Sequence, residues 1–380
     1  MDSRIFSPKR VLLTFGTRPE AIKMAPVVNA LRRSHPSADT RVCITAQHRE
    51  MLDQVLRFFD IVPDDDLNIM KPGQSLFDVT TESLTGLRDI IGAYQPDWVV
   101  VQGDTTTVFT AALASFYHRV RVAHVEAGLR SFNKFAPFPE EINRVLTSHL
   151  ANVHFAPTPK ARENLLKEGV PDEAIHVVGN TVIDALLYGV QKVGSLTSER
   201  FGSAFKGLDG SVFSKKIILV TGHRRENFGK PFENICRALR DLASRDNVAI
   251  IYPVHLNPNV RKPVFDLLGE TRNIHLIEPL EYPAFIWLME KSYLILTDSG
   301  GVQEEAPSLG KPVLVMREVT ERTEGIDAGT ALLVGTDPAI IAREAGSLLD
   351  DRERYDAMAN KKNPYGDGNS SKQIREVLSA

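Results

Sequence analysis

Cysteine is nearly absent from this chain: 380 residues hold only Cys43 and Cys236, one in each half. Two thiols without partner spacing exclude a disulfide framework and a cysteine-built metal site, and they fit a reducing, cytoplasmic compartment. Long apolar runs are lacking as well. The longest are strand-sized, which argues against a membrane span, and the N-terminal MDSRIFSPKR has no apolar centre that would make it a signal peptide. A net charge of −3 argues against non-specific nucleic-acid binding. No nucleophile elbow, HExxH, CxxC or Walker lysine motif occurs, and no cluster of ligand-type side chains argues for a metal. What remains is an ordinary globular composition, 43% hydrophobic and 24% charged. At this length it is best divided into two domains.

Strand-like and helix-like patterns alternate almost throughout. Apolar runs RVLLTF, RVCITA, DWVVVQ, VRVAHV, ANVHFA and AIHVVG are separated by helical stretches such as Glu20–Arg33, Glu50–Phe59, Leu76–Tyr94 and Thr105–Tyr117. Such alternation predicts βαβ units and parallel sheets with both faces covered. After a helix at Val182–Val190, the segment Gly194–Ser214 is rich in Ser and Gly and reads as a linker. The alternation then restarts with KIILVT, NVAIIYPV, NIHLIE, YLILT, PVLVM and ALLV. The expected fold is α/β, with two doubly wound Rossmann-like domains and ligands beyond the carboxyl ends of the strands.

Polar residues gather at those ends. In Leu294–Met316, a buried strand runs into Asp298-Ser299-Gly300-Gly301 and a short helix starts at once. The glycines allow close backbone approach and the helix start points N–H groups outward. That makes either an anion site, with Glu304 and Glu305 within a turn of it as carboxylates suited to a sugar hydroxyl, or a tight turn with nothing bound. Gly16-Thr17-Arg18-Pro19-Glu20 follows the first strand, and Lys23 comes in the next helical turn. The second glycine of GxGxxG is missing, which argues against bound NAD. Asp104 follows the strand DWVVVQ, as a helix cap or as a site residue. Glu126 follows VRVAHV, and Glu140 opens a helix after a helix-poor loop. Three acids beside basic groups suggest acid/base chemistry. His223 heads a Gly-His-Arg-Arg turn in the second half, and His255 follows the next strand. His35, His118, His149, His154, His176 and His275 read as surface or packing residues.

The segments FGTRPEAIKMAPVV, TAQHREMLDQ, QGDTTTVF, HVEAGLRS, PFPEEINR, VGNTVIDAL, TGHRRENFG, YPVHLNP, TDSGGVQEEAPSLGKPVLVMR, TERTEG and NPYGDG resemble, in order and over nearly the whole chain, the non-hydrolysing UDP-N-acetylglucosamine 2-epimerases. The resemblance implies the two-domain fold of the B-type glycosyltransferases, with domains at 1–182 and 183–364 and substrate in the cleft between them. A last segment, 365–380, would carry a helix (Ser370–Leu378) back to the first domain. It also implies a homodimer acting on UDP-N-acetylglucosamine, UDP-N-acetylmannosamine and UDP without a cofactor, supplying N-acetylmannosamine units for surface polysaccharides.

By the same resemblance, Arg18, Ser299, Gly300 and Gly301 hold the diphosphate and Glu305 the ribose. Phe285 and the backbone near Leu280 flank the uracil. Lys23, His223 and Arg322 line the phosphate–sugar region, and Asp104, Glu126 and Glu140 attend the sugar. Gln47, His48, Arg224 and His255 match a second, activating nucleotide-sugar site of bacterial relatives, although Gly73 stands where some of these carry arginine. Rival classes are a glycosyltransferase, a hydrolysing epimerase and a nucleotide-sugar sensor.

Overall fold

Every apolar run read as a strand forms one, of three to six residues, because each supplies consecutive apolar side chains for a sheet covered on both faces. The computed structural model describes residues 10–34, 39–46, 49–208 and 210–380. In the first half lie β1 (Val11–Phe15), β2 (Thr40–Ile44), β3 (Asp65–Asp66), β4 (Trp98–Gln102), β5 (Arg121–Val125), β6 (Val153–Ala156) and β7 (Ile175–Val177). They pair in the order β3-β2-β1-β4-β5-β6-β7. The two-residue β3 escapes sequence reading, since a pair of aspartates at a sheet edge has no apolar pattern.

The second half holds β8 (Lys216–Thr221), β9 (Val248–Pro253), β10 (Ile274–Ile277), β11 (Leu294–Thr297), β12 (Val313–Val315) and β13 (Ala331–Leu333), in the order β10-β9-β8-β11-β12-β13. All pairings are parallel. Strand order reverses beside β1, against β4, in one sheet and beside β8, against β11, in the other. Each reversal opens a crevice at the strands' carboxyl ends.

The chain divides into two units. One runs to Ala185 and includes Gly366–Ala380; the other is the unbroken stretch Leu186–Tyr365. The last helix, Ser370–Ser379, packs on the first, Arg18–Ser34. Its start is held by Asp184, whose carboxylate accepts the Ser371 N–H at 2.8 Å and hydroxyl at 2.6 Å.

Gly194–Ser214 is not a loose linker. Phe201, Phe205 and Phe213 ring Trp287 with centroids 5.2–5.5 Å away, and the indole N–H bonds the Leu196 carbonyl at 2.9 Å. Phe201 and Phe205 stand at helical spacing, but Phe213 and Trp287 lie outside that turn, so no local pattern shows the cluster. Among the described residues no helix is long and apolar enough to cross a membrane.

Candidate active site

In the first unit, the turn after β1 is tied down by a residue read only as a helix start. Glu20 is buried. Its Oε2 accepts the N–H groups of Gly16 (3.0 Å) and Thr17 (2.7 Å), and its Oε1 accepts the Thr105 hydroxyl (2.6 Å). Burial pushes the Glu20 carboxyl above its ordinary range, against the pull of these donors. Gly16 is needed for space rather than for an unusual φ. A Cβ there would lie 2.1 Å from Thr45 Oγ1 and 2.7 Å from Thr107 Oγ1, which bond each other at 2.9 Å. Gly16→Ala is therefore expected to cost about 1–3 kcal/mol of stability by overpacking. Urea unfolding followed by circular dichroism checks this, and an unchanged midpoint would count against it.

Glu126 is the centre of the unit. It leaves β5 in the left-handed region, at φ 63°, a strained conformation for a non-glycine residue. The carboxylate is buried and receives Lys23 Nζ on both oxygens (2.6 and 2.7 Å), Asn180 Nδ2 (3.1 Å) and Gln102 Nε2. All of these contacts are donors, so the turn is held open by the clamp on its side chain.

Asp104 is not the helix cap; Thr105 is, accepting from the Val108 N–H. Asp104 instead pairs with Arg144, at 2.9 Å to Nε and 2.7 Å to Nη2, while Asn143 binds its carbonyl. Arg144 also reaches Glu141, which accepts the Ser131 and Phe132 N–H groups. Burial pushes the Glu141 carboxyl up, but those two N–H groups and Arg144 outweigh it and hold the group below its usual range. Glu141 thus anchors the loop, and leaves Glu140 next to it with a buried Oε2 that finds no hydrogen-bond partner among the described residues. An unsatisfied buried carboxyl oxygen marks a place for a ligand donor or for a proton.

Behind these acids lie two buried histidines, paired across β5 and β6. His124 Nε2 lies 2.7 Å from the carbonyl of Gly103, which fixes the Gly103–Asp104 turn. Burial pushes His124 down to about 4 and His154 down to about 3, and His124 adds to the lowering of His154.

In the second unit the turn after β8 is organised by Asp298, at the end of β11. Its fully buried Oδ2 accepts the N–H groups of His223 and Arg224, both at 2.9 Å, and Asn227 Nδ2 at 3.2 Å. His223 stacks on His255, with centroids 5.5 Å apart. Burial lowers the His223 value, Asp298 opposes this, and Arg224 and His255 add to it. Ser299 donates its N–H to Thr297 Oγ1 (2.9 Å), and its carbonyl is held by Gln303 (3.1 Å), itself fixed by Thr320. The Arg322 guanidinium pairs with Glu304 and lies against Gly300, and the buried Glu305 carboxylate comes up under Gly301. Leu280 is buried and Phe285 half-buried at the start of the helix Tyr282–Lys291. Gln47 and His48 lie outside the described residues.

The structure brings Lys23, Asp104, Glu126 and Glu140 to one sheet rim of the first unit. It brings His223, Arg224, His255, Ser299, Gly300, Gly301, Glu305 and Arg322 to the rim of the second. Gln102, Asn180, Arg144 and Asp298 were missed. A buried polar residue closing an apolar strand, as Gln102 does at 2% exposure, is the signal that marks such positions.

Two doubly wound parallel sheets with polar turns at both reversal points define the class: the B-type glycosyltransferase fold as used by nucleotide-sugar enzymes. The family model described as UDP-N-acetylglucosamine 2-epimerase matches residues 29–379. The UDP-N-acetylglucosamine 2-epimerase of Salmonella typhimurium is 56% identical, covering 97% of this chain and 98% of its own. The crystal structure of the Neisseria meningitidis enzyme bound to UDP-GlcNAc is 52% identical with a TM-score of 0.86, covering 97% and 99%. That of the Methanocaldococcus jannaschii enzyme with UDP-GlcNAc and UDP is 35% identical with a TM-score of 0.78, also covering 97% and 99%. The chain belongs to the UDP-N-acetylglucosamine 2-epimerase family and is by class an isomerase.

Proposed function

We propose that the chain interconverts UDP-N-acetylglucosamine and UDP-N-acetylmannosamine by eliminating UDP and adding it back. The proton on the sugar's second carbon is not acidic in the substrate, because no carbonyl adjoins it. Breaking the anomeric C–O bond sends its electron pair to the diphosphate oxygen, and the oxocarbenium left behind makes that proton removable. A carboxylate takes it, giving 2-acetamidoglucal and UDP. Delivery of a proton to the opposite face, with return of the diphosphate oxygen to the first carbon, completes the inversion. No electrons leave the system, so no redox cofactor is required.

The observation that carries this reading is the acid group of the first unit. It comprises Glu126 clamped by Lys23, Gln102 and Asn180, Asp104 held by Arg144, and Glu140 with its unsatisfied oxygen. Two faces of a sugar need two acid/base groups, and carboxylates also stabilise a cation. For the nucleotide the proposed residues are Ser299, Gly300, Gly301, Arg18 and Arg322 at the diphosphate, Glu305 at the ribose, and Phe285 and the Leu280 backbone at the uracil. His223 supports the departing phosphate. The homodimer, the cytoplasmic location and the supply of surface polysaccharide belong to the same proposal, as does an activator site using Arg224 and His255.

Incubation with UDP-N-acetylglucosamine in deuterated water tests it. NMR should find UDP-N-acetylmannosamine with deuterium at the sugar's second carbon, and product that keeps its original proton would exclude elimination. The same assay run from UDP-N-acetylmannosamine, with and without added UDP-N-acetylglucosamine, reads the activator site.

A further inference from the structure

His223 is 41% exposed at its side chain, yet one edge of the ring faces a carboxylate with no exposure at all. Asp298 uses Oδ2 for the three donors that shape the turn. Its buried Oδ1 has no hydrogen bond among the described residues and lies 3.4 Å from His223 Nδ1. A buried carboxylate oxygen without a donor is costly, and the ring N–H that faces it needs to approach by only a few tenths of an ångström. Other neighbours are already engaged. Tyr252 gives its hydroxyl to the Gly222 carbonyl (2.9 Å), and Arg224 gives its Nε to the Asp298 carbonyl (3.3 Å). The stacked His255 accepts the Asn257 N–H on Nδ1 at 3.0 Å, so its neutral ring carries the proton on Nε2.

We infer that Asp298 is the positioning residue for His223: Oδ1 keeps the imidazole proton on Nδ1 and leaves Nε2 as the ring atom open to substrate. In the neutral ring Nε2 is then an acceptor, and it becomes a donor only after taking up a proton. A ring with the opposite tautomer would present a fixed N–H and could take up no proton at Nε2. The inference rests on the reading of His223 as a site residue. The charged groups facing the ring are Asp298 at the end of β11, Arg224 next to it in the chain and His255 from the turn after β9. Asp298 favours the protonated ring and the other two oppose it.

Long-range 1H–15N spectra of labelled protein above neutral pH read both tautomers directly. His223 should show its proton on Nδ1 and His255 on Nε2. Asp298→Asn retains an oxygen for the three turn donors and replaces Oδ1 by an NH2, which makes Nδ1 accept and moves the proton to Nε2. Turnover should then fall by ~10²-fold or more while KM and the UDP Kd stay within about twofold, and the His223 titration should move to lower pH. Wild-type protein with the proton on Nε2 overturns the inference, and that reading stands even where the variant does not fold. So does an Asp298→Asn enzyme with unchanged turnover, or one that loses UDP affinity in step with turnover. His223→Asn separates the two levels. If it turns over normally, the assignment of His223 to the site fails. If it is impaired and Asp298→Asn is not, only the role of Asp298 fails.

Discussion

Glu126→Gln is expected to lower turnover by ~10²–10⁴-fold while leaving the UDP Kd within about twofold. The side chain keeps its shape, but one acceptor oxygen becomes an NH2 facing Lys23, Gln102 or Asn180, all of which are donors. At least one contact of the clamp turns repulsive, and the left-handed backbone at φ 63° loses part of what holds it. Asp104→Asn, facing Arg144, and Glu140→Gln follow the same logic, because none of the three acids belongs to the nucleotide turn. Lys23→Met makes the complementary test. It leaves a carboxylate of 5% side-chain exposure without its cation, and breaking a buried pair in this way costs about 3–5 kcal/mol. NMR product assays give turnover and calorimetry gives UDP affinity. Normal turnover in any acid variant removes that residue from the chemistry, and a parallel loss of UDP binding reassigns it to the nucleotide.

The first unit should also lose stability steeply in mild acid. His124 and His154 are pushed by burial to about 4 and about 3, below the ordinary histidine value near 6.5. The unfolded chain therefore binds protons below pH 6.5 that the folded chain refuses. The stability these residues contribute is complete above that pH and is lost as pH falls toward 4 for His124 and 3 for His154. Near pH 5 these two histidines alone bind about two more protons in the unfolded state, which contributes a slope of roughly 2–3 kcal/mol per pH unit before the buried acids are counted. Glu20 and Asp184, raised by burial, act with the opposite sign and offset part of the slope at its acid end.

Trp98 lies in the first unit and Trp287 in the second, and the chain has no other tryptophan. Trp287→Phe thus makes urea unfolding of the first unit readable by fluorescence. Its midpoint should drop between pH 7 and pH 5, and adding His154→Asn should remove about half of the dependence. A midpoint that does not move over this range would discard the prediction.

The strands were readable because buried parallel strands are apolar runs. Helix Leu76–Tyr94 was readable to the residue because Ser75 and Asp78 form a capping box. The rim positions of Asp104, Glu126, Glu140 and His223 followed from the rule that loops at the carboxyl ends carry function. Their partners did not follow. Lys23 and Glu126 are 103 positions apart, Asn180 is 54 from Glu126, and Arg144 is 40 from Asp104. Which donor meets which acid depends on strand order, and no local pattern encodes that. Glu20 was passed over for a related reason: the sequence places it only at a helix start, and only the neighbouring turn carrying Thr105 shows it to be a bracket between two strand-end turns. The aromatic packing of Gly194–Ser214 was lost because its partner Trp287 lies far along the chain.

The return of Gly366–Ala380 to the first unit bears on the order in which a ribosome-bound chain matures. The unit made of Leu186–Tyr365 is contiguous, and can close its core once Tyr365 has left the exit tunnel. The unit begun first is finished last. Helix Arg18–Ser34 waits for its packing partner, and Asp184 for the two serines it binds, until Ser370–Ser379 has been made. The usual N-terminal-first order of domain folding is thereby inverted for completion. Stalled nascent chains should show protease resistance in the later-made unit before the acids of the earlier one are fully housed.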